Sequence, residues 1–306
     1  YGIYLYGAAA TLNVIGTDGD GSNAAAERNI ISGNGRVGIY IASNGQTTIA
    51  GNFIGTDKDG TTDLGNTASG IQATASAGQN TIGTNGDGID DAGEGNLIAG
   101  NTTYGVYLAG SSDIIAGNIF GLDATGTIRL RNDSAAITLT GNSTRIGTNG
   151  DGVSDLLERN IISGSNTSGQ RGIYGTGDNL IIAGNYIGTD FTGTSAISND
   201  RGIQASSTAD NWVIGTNGDG VNDDSEGNVI SGNVYNLYIE GNNHVIAGNI
   251  VGTNATGTSI VSGSSYGLRF YGGTGHRVGT NADGVSDEIE RNLISGHTQY
   301  GILIER

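Results

Sequence analysis

The stretch GIYIASNGQTTIAGNFIGTDKDGTTDLGN, residues 38–66, contains three short apolar bursts, GIYI, TTIAG and NFIGT, which are separated by glycine and polar residues. In the first burst, Ile39 and Ile41 alternate with Tyr40. Because successive side chains of a strand point to opposite faces, this period of two indicates short strands with one buried face. The stretch therefore predicts three strands joined by tight bends, with no helix between them.

The same unit recurs along the chain in two forms that alternate. The five acidic half-units are VIGTDGDGSNAAAERNIISGN (14–34), TIGTNGDGIDDAGEGNLIAGN (81–101), RIGTNGDGVSDLLERNIISGS (145–165), VIGTNGDGVNDDSEGNVISGN (213–233) and RVGTNADGVSDEIERNLISGH (277–297). The four Thr-Gly half-units are IAGNFIGTDKDGTTDLGN (49–66), IAGNIFGLDATGTIRLRN (115–132), IAGNYIGTDFTGTSAISN (182–199) and IAGNIVGTNATGTSIVSG (246–263). Strands of the GIYI type start ten times, 30 to 36 residues apart, and so bound nine turns. Three-strand turns at a fixed period predict an all-β parallel β-helix of nine coils with two alternating loop types.

One column of the aligned turns tests this register. Asparagine tolerates left-handed backbone geometry at a bend, and its amide can hydrogen-bond to its copy one coil away. We therefore predict an axial ladder of nine amides. Its members, at one position of the third strand in all nine turns, are Asn29, Asn52, Asn96, Asn118, Asn160, Asn185, Asn228, Asn249 and Asn292.

The asparagine column, together with IAGNFIGTDKDGTTDLGN (49–66) and ERNIISGNGRVGIYI (27–41), resembles right-handed parallel β-helix proteins of the pectate-lyase-like architecture. It is similar in particular to the β-helix repeats of very large bacterial secreted and surface proteins. The resemblance covers essentially all 306 residues. It implies a right-handed coil and a single domain over residues 1–306, as a segment of a longer array or a unit that stacks end to end. It does not assign a function, because one fold hosts many functions.

Each acidic half-unit inserts a loop between its second and third strands. Oxygen ligands at alternate positions, a later carboxylate and a glycine that permits the turn suit Ca²⁺, and the spacing resembles thrombospondin type-3-like repeats. The five loops hold 18 of the 30 acidic residues, and bound cations would offset this concentration of charge. The predicted calcium ligands are Asp18, Asp20, Glu27, Asn85, Asp87, Asp91, Glu94, Asn149, Asp151, Asp155, Glu158, Asn217, Asp219, Asp223, Glu226, Asn281, Asp283, Asp287 and Glu290.

A metal-free interpretation of these loops stays open. NAAAER (23–28), VSDLLER (153–159) and VSDEIER (285–291) each fit one helical turn with Ser or Asp as its N-cap. The arginine that follows the glutamate in these three copies can neutralise the carboxylate. The loops of the Thr-Gly half-units are poor in carboxylates and are predicted to be simple turns, which begin at Asp57, Asp123, Asp190 and Asn254.

Composition excludes several classes of partner and chemistry. The net charge is −17, with 13 basic residues, which argues against nucleic acid and an anionic membrane surface. The absence of cysteine excludes disulfides, thiolate metal sites and a cysteine nucleophile, and no run of 18 apolar residues could span a bilayer. There is no methionine, so we expect a processed or excerpted piece of a longer protein, with any targeting signal outside it.

No residue set breaks the repeat as a catalytic site would. Nearly every acidic residue belongs to the repeat, and His244, His276 and His297 lie in different turns with no partner pattern. We therefore expect no enzyme activity.

The first strands carry tyrosines that are predicted to be exposed, and three interpretations of them stay open. Tyrosine is favoured in a half-exposed strand for its own sake, its ring can stack on a sugar, and its ring can pack against a neighbouring rod. In the four Thr-Gly turns these tyrosines are Tyr40, Tyr107, Tyr174 and Tyr238.

The preferred hypothesis is a non-enzymatic rod, stabilised by Ca²⁺, in a surface fibre, filament or adhesin outside the cell or on its surface. We expect the rod to associate with further copies of itself. End-to-end association is expected because neither terminal strand has a cap, and side-by-side association is a second mode. Extracellular polysaccharide is a further expected partner. The alternative is a β-helix that binds or cleaves polysaccharide. Ice binding is disfavoured, because the Thr of the GT motif lies on different strands in the two half-units.

Overall fold

A computed structural model describes residues 1–7, 9–42 and 45–305. Over these residues the chain winds as a parallel β-solenoid of nine coils, and successive coils add strands to three parallel sheets. The predicted all-β parallel β-helix with three strands per coil is confirmed, whereas its right-handed winding stays a prediction. Among the described residues, helices occur only in the acidic loops and are one turn long. They are α1 (Ala24–Glu27), α2 (Asp91–Glu94) and α3 (Asp223–Glu226).

Each sheet takes one strand from every coil. Sheet one consists of β1 (Ile3–Leu5), β4 (Ile39–Ile41), β7 (Ile71–Ala73), β10 (Tyr104–Leu108), β13 (Ala135–Leu139), β16 (Arg171–Gly175), β19 (Arg201–Ala205), β22 (Tyr235–Ile239), β25 (Tyr266–Tyr271) and β28 (Tyr300–Glu305). Sheet two consists of β2 (Val14–Gly16), β5 (Thr48–Ala50), β8 (Thr81–Gly83), β11 (Ile114–Ala116), β14 (Arg145–Gly147), β17 (Ile181–Ala183), β20 (Val213–Gly215), β23 (Val245–Ala247) and β26 (Arg277–Val278). Sheet three consists of β3 (Ile30–Ile31), β6 (Phe53–Ile54), β9 (Leu97–Ile98), β12 (Ile119–Phe120), β15 (Ile161–Ile162), β18 (Tyr186–Ile187), β21 (Val229–Ile230), β24 (Ile250–Val251) and β27 (Leu293–Ile294).

The core is a stack of aliphatic side chains inside the coils. In sheet one, Ile39 pairs with Ile71, which pairs with Val106, and all three are fully buried. Ile82 of sheet two and Ile98 of sheet three join the same cluster. Burial of one such side chain stabilises the fold by about 1.5–3 kcal/mol. At about 4.8 Å per coil, nine coils form a rod about 43 Å long.

The predicted asparagine ladder runs along the corner between sheets two and three. At its centre, the Asn118 amide donates to Oδ1 of Asn160 at 3.0 Å, and the Asn160 amide donates to Oδ1 of Asn185 at 2.9 Å. The other side-chain bonds between neighbouring members measure 2.9–3.2 Å. Most members are completely buried. The prediction of nine amides in one axial row is therefore confirmed.

The backbone of this corner differs from the expectation. The asparagines of the ladder do not adopt positive φ. The preceding glycine does so in the Thr-Gly coils, where Gly51 and Gly117 have φ of 72° and 73°. Glycine adopts this geometry without the penalty of a Cβ atom. The asparagine is therefore selected for its amide and the glycine for the bend.

A second polar ladder, which the sequence analysis missed, follows the corner between sheets three and one. Its side-chain bonds measure 2.8 Å between Asn34 and Asn66 and 3.0 Å between Asn199 and Asn233. Serine interrupts the row of asparagines at position 165, and the Nε2 atom of His297 lies 3.1 Å from the amide of a neighbouring asparagine. The asparagine that ends most half-units is the signal that could have revealed this ladder.

Candidate functional site

The five acidic loops form one continuous surface along the corner between sheets two and three. We call this surface, residues 17–28, 84–95, 148–159, 216–227 and 280–291, the acidic ridge.

These loops belong to alternate coils, yet they stack on one another. The carboxylate of Glu94 lies against Gly19 of the preceding loop, and that of Glu158 lies against Gly86. A Cβ atom on either glycine would collide with the carboxylate. The glycines therefore allow neighbouring loops to pack directly, which makes the ridge continuous along the rod.

Backbone amides and a hydroxyl hold the predicted calcium ligands within each loop. In the second loop, Asn85 Oδ1 accepts the N–H of Asp87 at 2.9 Å. Thr84 donates its hydroxyl to Asp91 at 2.7 Å, and a backbone N–H donates to the other oxygen of this carboxylate at 2.9 Å. Glu94 accepts the N–H of Asn85 at 3.0 Å. The loop is thus closed by its own donors.

The same pattern recurs in the later loops and weakens in the first. In the third, fourth and fifth loops, the glutamate accepts the N–H of the loop asparagine at 2.9, 3.0 and 2.9 Å. In the first loop, Asp18 accepts the N–H of Asp20 at 3.2 Å. Glu27 has a buried Oε2 atom with no hydrogen-bond partner in the described part of the chain. The repeat therefore encodes the loop geometry, and the first copy retains only part of it.

The described geometry does not gather three carboxylate or imidazole groups around one point. Calcium takes about six to eight oxygen ligands around one point. Within residues 1–7, 9–42 and 45–305, no group of three or more acidic or histidine side chains is arranged to hold a metal ion. Many of the carboxylate oxygens accept N–H or O–H groups instead. Calcium binding stays a prediction for the acidic ridge, and these hydrogen bonds hold the loop conformation.

Of the three predicted helical turns, residues 23–28 contain helix α1, whereas residues 153–159 and 285–291 form hydrogen-bonded turns, and the predicted side-chain cap is missing from α1, α2 and α3. The N-cap residues of α1, α2 and α3 are Asn23, Asp90 and Asn222, and each has a left-handed backbone and no side-chain cap hydrogen bond. Ser154 and Ser286, which precede the equivalent turns, also have positive φ. The loop therefore begins at a tight left-handed bend, where a side-chain cap has no role.

The arginine that follows the glutamate does not neutralise it as expected. Arg28 and Arg159 donate to backbone carbonyls of the next coil and lie over aromatic rings, and Arg291 approaches only an exposed carboxylate at 3.5 Å. Two of the buried glutamates pair instead with arginines of sheet two. These ion pairs measure 2.9 Å between Arg145 and Glu158 and 2.8 Å between Arg277 and Glu290.

The pKa of the buried glutamate differs between two acidic coils that also carry different residues at one position of sheet two. Burial alone would raise the pKa of Glu290, but hydrogen bonds from Arg277 and a backbone N–H lower it below its usual range. Val213 occupies the position of Arg277 in the preceding acidic coil. There, burial raises the pKa of Glu226 to about 6, despite the hydrogen bonds that this carboxylate accepts.

We expect Val213→Arg to lower the pKa of Glu226 by about one to three units, as a guanidinium does beside a carboxylate. In the wild type the folded pKa lies above the ordinary value of 4.5, so the folded state binds this proton more tightly. The group therefore contributes stability that grows as the pH falls from about 7 to about 5, and the variant loses this gain. Carboxyl NMR titration and urea unfolding at the two pH values measure both effects. Val213→Met, which adds length without charge, should leave the pKa near 6; an unchanged value in the arginine variant would refute the pairing.

The loops of the Thr-Gly half-units are turns, as predicted. Asp57 Oδ1 accepts the N–H groups of Thr61 and Thr62 at 2.8 and 3.1 Å. The hydrogen bond from the Thr61 N–H is the main cause that lowers the pKa of Asp57 to about 2. The equivalent residues Asp123, Asp190 and Asn254 accept the same pair of backbone donors.

The outer side of sheet one carries most of the tyrosines, but the predicted exposure is only partial, because Tyr40, Tyr107 and Tyr174 are half-buried and Tyr238 is buried. Tyr235 and Tyr266 stack with ring centroids 4.7 Å apart and planes 10° apart. Arg201 and Arg269 lie over the ring of Tyr238 at 4.3 and 5.1 Å. Twelve of the 13 tyrosines lie on or beside these strands. We call this surface the tyrosine face; its rings are Tyr1, Tyr4, Tyr6, Tyr40, Tyr104, Tyr107, Tyr174, Tyr235, Tyr238, Tyr266, Tyr271 and Tyr300.

Two of the three histidines are partners, contrary to the expectation. His244 and His276 stack in neighbouring coils, with ring centroids 5.3 Å apart and planes 5° apart. His244 Nδ1 accepts the N–H of Trp212 at 3.1 Å, and its Nε2 donates to the carbonyl of Glu240 at 2.7 Å. Burial lowers the pKa of both histidines. The neutral rings therefore serve the packing of the corner between sheets one and two.

No protein-family model matches the chain, and no curated protein or solved structure matches it either. The resemblance to pectate-lyase-like proteins is therefore supported at the level of the parallel solenoid fold alone. Within the described ranges, no helix has the length and apolar character required to cross a membrane.

Proposed function

We propose that the chain is a non-enzymatic structural rod, a stiff segment of a fibre or adhesin outside the cell or on its surface. The observation that carries this proposal is the asparagine ladder, which joins all nine coils without a break. The continuous core and the second ladder add to the same axial stacking. The buried polar groups thus serve stacking along the rod.

The distribution of the acidic residues also favours a structural role. A catalytic site needs its groups once, in one place, whereas these carboxylates recur in every second coil with the same hydrogen bonds. We propose axial association with further copies or further repeats as the way such rods extend. The outer edges of β1 and β28 have no neighbouring strand in the described ranges, and such edges can pair with another chain.

Electron microscopy and an activity screen together test the rod proposal. We expect straight particles about 43 Å long for a single copy, or filaments built from that length. Acidic polysaccharides should show no turnover, with or without CaCl₂. Turnover that is abolished by Asp113→Asn, at a buried carboxyl group, or by His297→Ala, at a half-buried ring, would contradict the proposal and favour a polysaccharide-cleaving β-helix.

We infer that calcium, where it binds the acidic ridge, adds to a fold that forms without it. Thermal unfolding in EDTA is expected to remain one cooperative transition. Added CaCl₂ should raise the midpoint by no more than about 2–4 °C, the shift that about 1 kcal/mol gives a domain of this size. MgCl₂ at equal ionic strength is the control, because a calcium site responds to Ca²⁺ alone whereas screening responds to both. Loss of structure in EDTA would show that the metal is required.

A second candidate function is polysaccharide binding by the tyrosine face, which the stacked rings favour. A surface groove of about 430 Å³ at one end of this face is lined by Tyr1, Arg36, Tyr40 and Gln72. Ring faces and amide or guanidinium donors are groups that bind sugars. Retention on insoluble polysaccharides that Tyr40→Ala abolishes would support this function, and equal retention of both proteins would refute it.

A further inference from the structure

The two sides of the rod differ in charge. The acidic ridge follows the corner between sheets two and three. The tyrosine face covers sheet one, on the other side of the rod. Among the ten strands of sheet one, Glu305 is the one carboxylate, whereas Arg171, Arg201 and Arg269 lie on these strands. In a chain with a net charge of −17, this sheet is locally positive.

Two of these arginines have no carboxylate partner among the described ion pairs. Arg171 and Arg201 are register partners on β16 and β19. Arg171 donates to the neutral amide of Gln204 at 2.7 Å, and the guanidinium of Arg201 lies over the ring of Tyr238 at 4.3 Å. Burial, followed by the charge of Arg201, lowers the pKa of Arg171. A carboxylate supplied from outside would relieve this repulsion.

The acidic ridge offers the complementary groups. Beside its carboxylates it carries a row of aliphatic side chains at equivalent positions of four loops. Ile89, Val153, Val221 and Val285 are 54%, 43%, 52% and 43% exposed. They recur every second coil, about 9.6 Å apart along the rod. The ridge thus presents an apolar row flanked by carboxylates, while the tyrosine face presents rings, hydroxyl donors and guanidinium groups.

We propose that the tyrosine face of one copy binds the acidic ridge of a second copy, so that the rods associate side by side. The tyrosine rings cover the aliphatic row, and Arg171 and Arg201 pair with carboxylates of the ridge. Because the two surfaces differ and lie on opposite sides, the contact repeats from copy to copy and builds a raft instead of a closed dimer. The five-residue strands of sheet one are about 17 Å long. A contact of this width along about 43 Å covers about 730 Å², close to the roughly 800 Å² per partner of a stable interface.

This inference rests on the proposed structural rod and adds its lateral partner. Sedimentation velocity of the whole chain tests it. We expect oligomers that grow with concentration and associate at least about tenfold more weakly in 500 mM than in 50 mM NaCl, because salt screens the pairing. Arg171→Glu with Arg201→Glu reverses the face, and Asp224→Arg with Glu288→Arg reverses exposed positions of the ridge. Each double variant should associate at least about tenfold more weakly than the wild type.

The mixture of the two double variants is the decisive sample. Each variant keeps the surface that the other has lost, so the mixture should regain association with 1:1 stoichiometry. Lys58→Glu with Arg129→Glu, which makes the same charge change on exposed loops, should associate like the wild type. Circular dichroism confirms that each variant is folded.

A wild type that stays monomeric at about 100 μM, where a standard interface would associate, overturns the inference. So does a mixture that stays monomeric. If the face variant loses retention on polysaccharide while self-association is unchanged, the tyrosine face binds a glycan and the inference is wrong. The rod image and the absence of turnover do not depend on these results, so the proposed function fails or stands separately.

Discussion

Asn160→Ala is expected to lower the free energy of unfolding by about 3–5 kcal/mol, because it leaves several buried groups without partners. Oδ1 of Asn160 accepts both the side-chain amide and the backbone N–H of Asn118 at 3.0 Å. Its own amide donates to Asn185 at 2.9 Å and to the carbonyl of Ile115 at 2.8 Å. Alanine removes all four bonds at a fully buried position, and a coil interior offers no water to replace them.

Urea unfolding followed by the fluorescence of the single tryptophan measures this loss. Asn166→Ala is the matched control, because Asn166 is exposed and lies outside both ladders. The control should change stability by less than about 0.5 kcal/mol. A loss below about 1 kcal/mol for Asn160→Ala would mean that the neighbouring amides find other partners, and that the ladder is not what holds the coils together.

The two ladders differ in how far the sequence reveals them. The first uses asparagine in all nine coils, so aligning the repeats identifies it directly. The second has Ser165, Ser264 and His297 at three of its positions, so the identity of the residue is lost while the hydrogen-bonding role remains. Hydrogen-bond capacity is therefore a better criterion than residue identity for such columns.

Partner choice within the acidic loops was the least predictable feature. Glu158 is followed directly by Arg159, yet it pairs with Arg145, which is 13 residues earlier on sheet two. The helical turn before the third strand directs the adjacent arginine toward the next coil, and sequence adjacency does not reveal this direction. By contrast, His244 and His276 are 32 residues apart, which is the length of one coil. That spacing could have predicted their stacking.

Trp212 and Gly175 share one space in the core. Trp212 is fully buried, and a Cβ atom added to Gly175 would lie 2.7 Å from its ring. The register partners of Gly175 in the neighbouring coils, Leu139 and Ala205, both carry side chains. Gly175 is therefore small because the indole ring occupies the volume that a side chain would fill.

We expect Trp212→Ala to lower the free energy of unfolding by about 3–5 kcal/mol, since it leaves a large cavity and removes the bond from the indole N–H to the carbonyl of Gly177. Gly175→Val alone should cost about 1–3 kcal/mol or more, because it forces a side chain into the ring. Trp212→Leu combined with Gly175→Val restores most of the lost volume. The double variant should therefore be more stable than the sum of its single changes predicts, by about 0.5–3 kcal/mol.

Urea unfolding followed by circular dichroism measures this coupling, since the fluorescent residue is itself replaced. Ile54→Val, a core change several coils away, is the control partner for Gly175→Val. Their effects should add within about 0.5 kcal/mol, because distant sites in a packed core act independently. Additive energies for Trp212→Leu and Gly175→Val would mean that the ring and the glycine do not compete for the same space. The coil would then tolerate a side chain at position 175 beside the indole, which the close approach of the two residues argues against.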